Sequence, residues 1–183
     1  MLRLNCGSGG VRFDGWINLD ADPAAEPDVL VDLGKTIPYP TASVDFIHSE
    51  DFVSCLPDMP SVRTFLREAH RVLKPGGVMR LLVPSLDRLV EAFRDQPGWL
   101  IEHWNRAVGV PLQPETAGHL LNLALKLNPG FMFDVATLRL LLSECGFAAR
   151  EVLYNESPHA DLRGLDLRRP EQSISMYWEC DPV

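Results

Sequence analysis

The sequence is short of cysteine and has no long apolar segment, and each shortage argues against a class of protein. Its four cysteines, Cys6, Cys55, Cys145 and Cys180, are far apart and form no CxxC pair, which argues against a zinc knuckle or a disulfide framework. We therefore predict no metal site. No stretch approaches the roughly 20 apolar residues of a membrane span. The opening "MLRLNCGSGG" lacks the apolar core of a signal peptide, so we expect a cytoplasmic protein without a membrane span.

Positive charge is also scarce, with 17 Lys and Arg against 25 Asp and Glu and a formal net charge of −8. An acidic surface repels phosphate backbones, which argues against bulk nucleic acid as a partner. A chain of 183 residues that is 46% hydrophobic can bury one substantial core. We find no linker and no internal repeat, so we predict a single domain over residues 1–183. The oligomeric state is not predicted by any pattern.

The first half of the chain alternates short apolar runs with turn signals. The first four runs are short and do not alternate with polar residues, as expected of strands covered on both faces. An amphipathic helix with Ser61 as its N-cap then leads into a fifth strand. This order predicts a parallel sheet. The strands are Leu2–Cys6, Trp16–Leu19, Val29–Leu33, Val44–His48 and Val78–Val83, and the helix is Ser61–Leu73.

The second half begins with a segment, residues 85–129, that has helical patterns and no strand signal. We predict that it is a helical insertion that forms a lid. A helix over Asp134–Cys145 follows, with Asp134 as its cap. Two last strands, joined by the polar loop Asn155–Ser173, complete the chain. The insertion's helices are predicted at Leu86–Asp95, Trp99–Val108 and Thr116–Leu127, and the last strands at Ala149–Tyr154 and Ile174–Glu179.

A glycine cluster after the first strand and an aspartate after the second form the strongest local signal. Gly7 and Gly9 would let the backbone approach a ligand closely, although the same pattern also occurs in plain tight turns. Asp20 lies where an acidic side chain binds both ribose hydroxyls of a nucleotide, although it could also be a solvated turn residue. Their order and strand context together favour a nucleoside site.

The connection between these two strands is unusually short. About ten residues separate Gly7 from the second strand, near the minimum for a parallel crossover, so a full first helix does not fit. The positive end of a helix dipole is therefore weakened at this site, which suits a ligand without a pyrophosphate. This favours S-adenosylmethionine over a nicotinamide dinucleotide.

The chain resembles the class I S-adenosylmethionine-dependent methyltransferase superfamily, and within it a short branch described only as predicted methyltransferases. The resemblance is carried by "LNCGSGG", "GWINLDAD", "DVLVDLGKTIPYPTASVDFIHSEDFVSCL" and "FLREAHRVLKPGGVMRLLVP", and more weakly by "FMFDVATLRLLLSECGF" and "SPHADLRGLDLRRP". It implies a Rossmann-like three-layer α/β sandwich, with a mostly parallel seven-stranded sheet and an antiparallel last strand.

The resemblance also implies cofactor contacts. Gly7 and Gly9 would pass beneath the methionine moiety, and Asp20 would hold the ribose. Asp32 and Leu33 would lie beside the adenine. The full set of expected cofactor-binding residues is Asn5, Cys6, Gly7, Ser8, Gly9, Asp20, Ala21, Asp32, Leu33, Ser49 and Glu50.

The chain departs from the superfamily pattern at two places. Asn5-Cys6 stands where many members have an acidic residue, and Ser54-Cys55 stands where relatives have a Glu-His pair. The second departure weakens any acceptor chemistry inferred from relatives.

Methyl transfer to a hydroxyl usually also needs a base. Our first candidate is Asp51, with His48 as the second catalytic residue. The further candidates for the base are Glu50, His103, His119 and His159. Contacts to the acceptor are expected from Trp104, His119, His159 and Arg163.

We therefore predict transfer of a methyl group to a hydroxyl or amine of a small molecule or glycan. The alternative is a cofactor-binding scaffold of the same fold without turnover. A nicotinamide-dependent oxidoreductase is a third and weaker interpretation.

Overall fold

A computed structural model of the chain describes residues 1–107, 114–127 and 130–183. Its strands are β1 (Arg3–Cys6), β2 (Ile17–Asp20), β3 (Val29–Leu30), β4 (Val44–Glu50), β5 (Leu73–Pro84), β6 (Phe147–Glu151) and β7 (Ser175–Pro182). They form one sheet in the order β3-β2-β1-β4-β5-β7-β6. Strands β1 to β5 pair in parallel, whereas β7 is antiparallel to both β5 and β6. The predicted seven-stranded sheet with an antiparallel last strand is confirmed.

The helices are α1 (Met59–Val72), α2 (Leu86–Asp95), α3 (Pro97–Ala107), α4 (Ala117–Leu127) and α5 (Val135–Glu144). Asp134 caps α5 by accepting a 2.6 Å hydrogen bond from the Thr137 amide, as predicted. The predicted cap of α1 is wrong. Asp58, not Ser61, is the cap, and its Oδ1 accepts from the Ser61 amide at 2.8 Å. Pro60 fits the first turn because that turn needs no amide donor there.

The bounds of all seven strands differ from the prediction, by up to five residues, and the third and fifth show why. The third pairs only over Val29–Leu30, so its predicted second half is loop. The fifth begins at Leu73 rather than Val78, because Val44 pairs with Leu73 before the register shifts at the start of β4. Helix α1 consequently ends immediately before the strand, with Leu73 already in extended conformation.

One face of the sheet carries the main core, against which α1 and α5 pack. This face explains the apolar content of the strands, since each contributes every second residue to it. The largest contributors from the helices are Phe65, Leu66, Leu138, Leu141 and Leu142, and from the strands Leu4, Ile47, Leu81, Met176 and Trp178.

The opposite face is strongly polar in its centre. His48 on β4 and Arg80 on β5 are 1% and 0% exposed and lie on this face. The expectation of a strand that does not alternate with polar residues is therefore wrong for β4, whose residues, like those of β5, alternate between the two faces. A small apolar cluster around Trp16, Val78 and Leu162 packs beside the polar groups. Among the described residues, the side chains that cover the sheet in this cluster come from loops and from a short 3-10 turn, Ala160–Leu162.

Arg80 anchors the loop that covers this face, which we call the cover loop (residues 152–174). Its guanidinium donates to Asp166 Oδ1 at 3.0 Å and to the carbonyls of Leu153 and Glu156, each at 2.9 Å. Asp166 also accepts from the Asn155 amide at 2.6 Å. Because buried charges need such partners, Arg80 fastens the loop to the sheet.

Helices α2, α3 and α4 form a separate unit with its own small core. Leu89, Leu100, Leu120, Ala124 and Met132 are buried there. The three predicted helices of the insertion are present within the described residues. Residues 108–113 and 128–129, which include Val108 of the second predicted helix, lie outside them. None of the helices in the described part combines the length and apolar character that crossing a membrane requires.

Candidate functional site

The glycine turn after β1 is tied directly to the end of β2. The amides of Gly7 and Ser8 donate to the Leu19 carbonyl at 2.9 and 3.0 Å, and the Gly9 amide donates to Asp20 Oδ2 at 2.7 Å. No helix intervenes between the two strands, as the short spacing predicted. The turn and the Asp20 carboxylate therefore lie side by side at the carboxyl edge of the sheet, where α/β folds bind ligands.

Gly7 and Gly9 lack side chains for different reasons. Both adopt positive φ, of 70° and 50°. A Cβ on Gly7 would lie 2.3 Å from the Phe52 ring, so this glycine makes room for Phe52. A Cβ on Gly9 would meet nothing within 4 Å. Open space for a ligand therefore lies beside Gly9.

A cavity of about 540 Å³ opens beside this turn, and we call it the glycine-loop cavity. Its volume lies within the usual range for small-molecule sites. Its wall contains the turn, the ends of β1, β2 and β4, and two residues of the cover loop. The lining residues are Asn5, Gly7, Ser8, Gly9, Gly10, Val11, Phe13, Asp20, His48, Glu50, Asp51, Phe52, Cys55, Leu167 and Arg168.

A network of amides and carboxylates takes the place of the missing first helix. Asn5 Nδ2 donates to the Val11 carbonyl and to Asn18 Oδ1, both at 3.0 Å. Asn18 in turn donates its amide and Nδ2 to Asp28 Oδ2 at 2.8 and 2.7 Å. These bonds, with Arg12, lower the pKa of Asp28 to about 2. Sequence reasoning missed Asn18 and Asp28, although a buried asparagine inside a short apolar strand was a visible signal.

A second cavity, of about 340 Å³, lies against α3, and we call it the aromatic cavity. Trp99 and His103 form part of its wall and stack on each other, with ring centroids 4.2 Å apart and planes 24° apart. The sequence pointed to Trp104, but in the cover loop it pointed to His159 and Arg163 rather than to the loop residues that line this cavity. The lining residues are Asp51, Ser54, Cys55, Pro84, Trp99, Leu100, His103, Trp104, Arg168, Gln172, Ser173, Ile174 and Ser175.

The two cavities share a wall made of Asp51, Cys55 and Arg168. Asp51 follows β4 with a φ of 55°, a conformation that L side chains seldom adopt outside functional or tightly held sites. Its Oδ2 accepts from Arg168 Nε at 2.6 Å. Its Oδ1 is buried and has no hydrogen-bond partner among the described residues. The Cys55 thiol donates to the Asp51 carbonyl at 3.0 Å, which holds the turn.

Glu50 fastens the cover loop over the glycine-loop cavity. Its carboxylate accepts from the backbone amides of Leu167 and Arg168, at 3.1 and 2.9 Å. Burial raises the pKa of Glu50 to about 7. The residue therefore lines the cavity, as expected of a cofactor-pocket residue, while also holding a lid-like loop that the sequence did not suggest.

His48 also lines the glycine-loop cavity, from beneath the cover loop. Its ring packs edge-on against Phe13, with centroids 5.1 Å apart. Neither ring nitrogen has a hydrogen-bond partner in the part of the chain that the structure describes. Burial, and next the Arg80 guanidinium, lower the pKa of His48 to about 3. The ring is therefore neutral at physiological pH.

The other expected cofactor residues lie elsewhere. Cys6 and Leu33 are buried in the main core. Ser49 is fully buried, and its Oγ has no hydrogen-bond partner in the described part of the chain. Ala21 and Asp32 line neither cavity. The Asp32 carboxylate instead accepts from the Gly34 amide at 3.0 Å and pairs with Lys35 at 2.9 Å.

Of the expected acceptor residues, Trp104 lines the aromatic cavity and the others line neither cavity. His119 is exposed on α4. The His159 ring packs on Phe46 at 5.5 Å, so it belongs to the cover of the polar face. Arg163 donates from Nε to the Ser157 carbonyl at 2.7 Å. Its Nη2 also donates to the Pro158 carbonyl at 3.1 Å, so Arg163 stabilises the conformation of its own loop.

Comparison with known proteins finds one similar family and several solved structures with the same fold. A family described as a methyltransferase domain matches residues 16–81. This segment contains Asp20, β4, α1 and most of β5, and it therefore includes one side of the glycine-loop cavity. The comparison with curated proteins finds no match.

Several solved structures share the fold at low sequence identity. The YcgJ protein of Bacillus subtilis is 15% identical, with 98% of this chain and 91% of that chain covered and a TM-score of 0.54. A TehB-like S-adenosylmethionine-dependent methyltransferase of Corynebacterium glutamicum is 13% identical, with coverages of 99% and 79% and a TM-score of 0.56. An S-adenosylmethionine-dependent methyltransferase of Methanosarcina mazei is 15% identical, with coverages of 99% and 92% and a TM-score of 0.58. Residues 16–81 are thus similar to a methyltransferase domain, and the chain as a whole shares the fold of solved S-adenosylmethionine-dependent methyltransferases.

Proposed function

We propose that the chain transfers a methyl group from S-adenosylmethionine to a hydroxyl or amine of a small molecule or glycan. The observation that carries this proposal is the pair of cavities that meet at Asp51, Cys55 and Arg168. A two-substrate transfer needs a donor site and an acceptor site in contact with each other. The glycine-loop cavity serves as the donor site and the aromatic cavity as the acceptor site.

The residues of the glycine-loop cavity suit this cofactor. Asp20 offers a carboxylate for the ribose hydroxyls, and Gly9 leaves open space beside the turn. Ser8 contributes a buried Oγ that has no partner within the described ranges. An unsatisfied buried hydroxyl is costly, so a polar ligand group here would relieve it. When bound, the cofactor supplies a methyl group on a sulfonium sulfur.

The chain's own task is then to bind, orient and dry the reacting groups. The cover loop, held by Glu50 and Arg80, shields the donor cavity from one side. Asp51 is the proton acceptor in this proposal, since it lines both cavities and one of its carboxylate oxygens has no hydrogen-bond partner among the described residues. His48 is less suited to that role because its pKa of about 3 makes it a weak base.

The alternative function is a cofactor-binding scaffold without turnover. It is favoured by the ion pair that occupies one oxygen of Asp51, and by Cys55 in place of a histidine. Calorimetric titration with S-adenosylhomocysteine, followed by a methyl-transfer screen over alcohols, amines and sugars, distinguishes the two. Product formation would exclude the scaffold, whereas tight binding without any product would favour it.

Asp20→Ala should weaken S-adenosylhomocysteine binding by about 1–3 kcal/mol, the scale of hydrogen bonds lost from a buried or charged group. The ribose hydroxyls would lose the carboxylate that binds them in this proposal, and the Gly9 amide would lose its hydrogen-bond acceptor. Calorimetry measures the effect. Asp22→Ala is the matched control, because Asp22 caps the 3-10 turn Pro23–Ala25 and lines neither cavity. An unchanged dissociation constant in the Asp20 variant, or tight binding of NAD by the wild type, would contradict the proposal.

A further inference from the structure

The aromatic cavity has walls that suit a flat ring. Most of its surface is apolar, and Trp99, Trp104, Leu100 and Ile174 contribute to it. Aromatic rings pack favourably against one another in stacked or edge-on arrangements. A volume of about 340 Å³ accommodates a small ring system rather than a chain of sugars.

The shared wall carries one carboxylate and one guanidinium, Asp51 and Arg168, which are paired side by side. Asp51 Oδ1 is buried and unpaired among the residues that the structure describes. Arg168 uses its Nε for Asp51 Oδ2, and a guanidinium carries four further N–H donors. Its side chain is 49% exposed at the boundary of the two cavities. A group placed there can both donate to a carboxylate and accept from a guanidinium.

We propose that the acceptor is an aromatic hydroxyl compound, with its ring in the aromatic cavity and its hydroxyl between Asp51 and Arg168; this rests on the function proposed above. A hydroxyl satisfies both groups at once, whereas a protonated amine would be repelled by the guanidinium. Its O–H bond breaks, the proton moves to the Asp51 carboxylate, and the electron pair of that bond stays on the oxygen, whose negative charge Arg168 stabilises. A phenol, with a pKa near 10 like that of tyrosine, gives up this proton far more readily than an aliphatic alcohol.

The test uses para-nitrophenol, whose absorbance reports its ionisation directly. The apparent pKa of the bound probe is measured with the protein saturated in S-adenosylhomocysteine. Asp51→Asn removes a negative charge beside the hydroxyl and should lower that pKa. Arg168→Gln removes a positive charge and should raise it, whereas Arg168→Lys should stay near the wild type. Arg169→Gln, at an exposed neighbouring position that lines neither cavity, is the matched control and should change nothing.

Trp99→Leu should weaken para-nitrophenol binding by about tenfold, the upper scale of one aromatic pair, without changing S-adenosylhomocysteine affinity. Cyclohexanol should not compete with the probe. A bound pKa that is the same in the wild type and in the Asp51 and Arg168 variants would overturn the proposal. So would competition by methyl glucoside but not by phenol, because it would identify a sugar acceptor.

Calorimetry with S-adenosylhomocysteine separates this result from the proposed function. If that ligand binds and the probe fails, only the aromatic acceptor is wrong. If that ligand does not bind, the methyltransferase proposal fails and the acceptor proposal fails with it. Circular dichroism of each variant confirms that the comparison is between folded proteins.

Discussion

Gly7 and Gly9 are identical residues in one turn, but their surroundings differ. Both have left-handed backbone, which glycine adopts without steric cost. Phe52 packs onto Gly7 and also contacts Phe65 edge-on, with ring centroids 5.1 Å apart, so the turn is joined to the core through this ring. Gly9 instead borders open space. The glycine motif therefore combines a packing role at Gly7 with open space beside Gly9, which the proposed cofactor would use.

Gly7→Ala should destabilise the fold by about 1–3 kcal/mol or more, because the new methyl group overlaps the Phe52 ring and the backbone stays left-handed. Gly9→Ala is the matched control and should cost about 1–2 kcal/mol, the backbone contribution alone. Urea unfolding measures both. Equal losses in the two variants would show that Phe52 yields freely, and that the contact at Gly7 is unimportant.

The cover loop is the element that most distinguishes this protein from the fold expected from its sequence. It joins β6 to β7 and is fastened at three places: Arg80 holds Asp166, Glu50 holds the amides of residues 167 and 168, and Arg3 holds Asp161 at 2.8 Å. The sequence predicted a polar loop here. It did not predict that the loop would cover a charged sheet face and line both cavities.

Asp166→Ala should destabilise the protein by about 3–5 kcal/mol, because the fully buried Arg80 guanidinium loses its hydrogen-bonded carboxylate and keeps only the more distant carboxylate of Glu179, at 3.6 Å. Limited proteolysis should also show cleavage in the cover loop before global unfolding. The control is Asp161→Ala in the same loop, where a partly exposed pair with Arg3 is worth about 0–1 kcal/mol. If Asp166→Ala lowers the free energy of unfolding no more than the control does, water must solvate Arg80 readily.

At the scale of the whole molecule, the polar sheet face makes stability depend on pH. His48 is neutral in the folded protein, with a pKa lowered to about 3, but binds a proton in the unfolded chain below about pH 6.5. The contribution of the neutral His48 to the free energy of unfolding is present above pH 6.5 and is lost as the pH falls towards 3. Glu50, whose pKa is raised to about 7 from 4.5, acts in the opposite sense, because its contribution is lost as the pH rises from 4.5 to 7.

His48→Leu should therefore reduce the fall in Tm between pH 7 and pH 4, because the variant has no buried imidazole to be protonated on unfolding. Differential scanning calorimetry at the two pH values measures the change. The exposed His119 supplies the control, since His119→Gln should leave the pH dependence as it is in the wild type. A wild-type pH dependence that persists in His48→Leu would assign the acid sensitivity to the carboxylates.

Local chemistry determined much of the fold from the sequence. The Asp134 cap, the three helices of the insertion and the helix-free connection after Gly7 depend on neighbouring residues, and each is present in the structure. The sequence also predicted that Gly7, Gly9 and Asp20 lie together, because turn and strand-end chemistry is local, and they line one cavity in the structure. The errors were also local: Ser61 and Asp58 are both good caps, and only the proline between them distinguishes them.

The tertiary structure alone decided which side chains meet across the sheet. Arg80 and Asp166 are 86 positions apart, and Asp51 and Arg168 are 117 apart. No spacing rule connects such pairs, because their contact depends on where the cover loop crosses the strands. A charged residue within the apolar run "VMRLLV" signalled that Arg80 would need a partner. The folded chain alone identified that partner, since burial pairs charges by position in space and not by distance along the sequence.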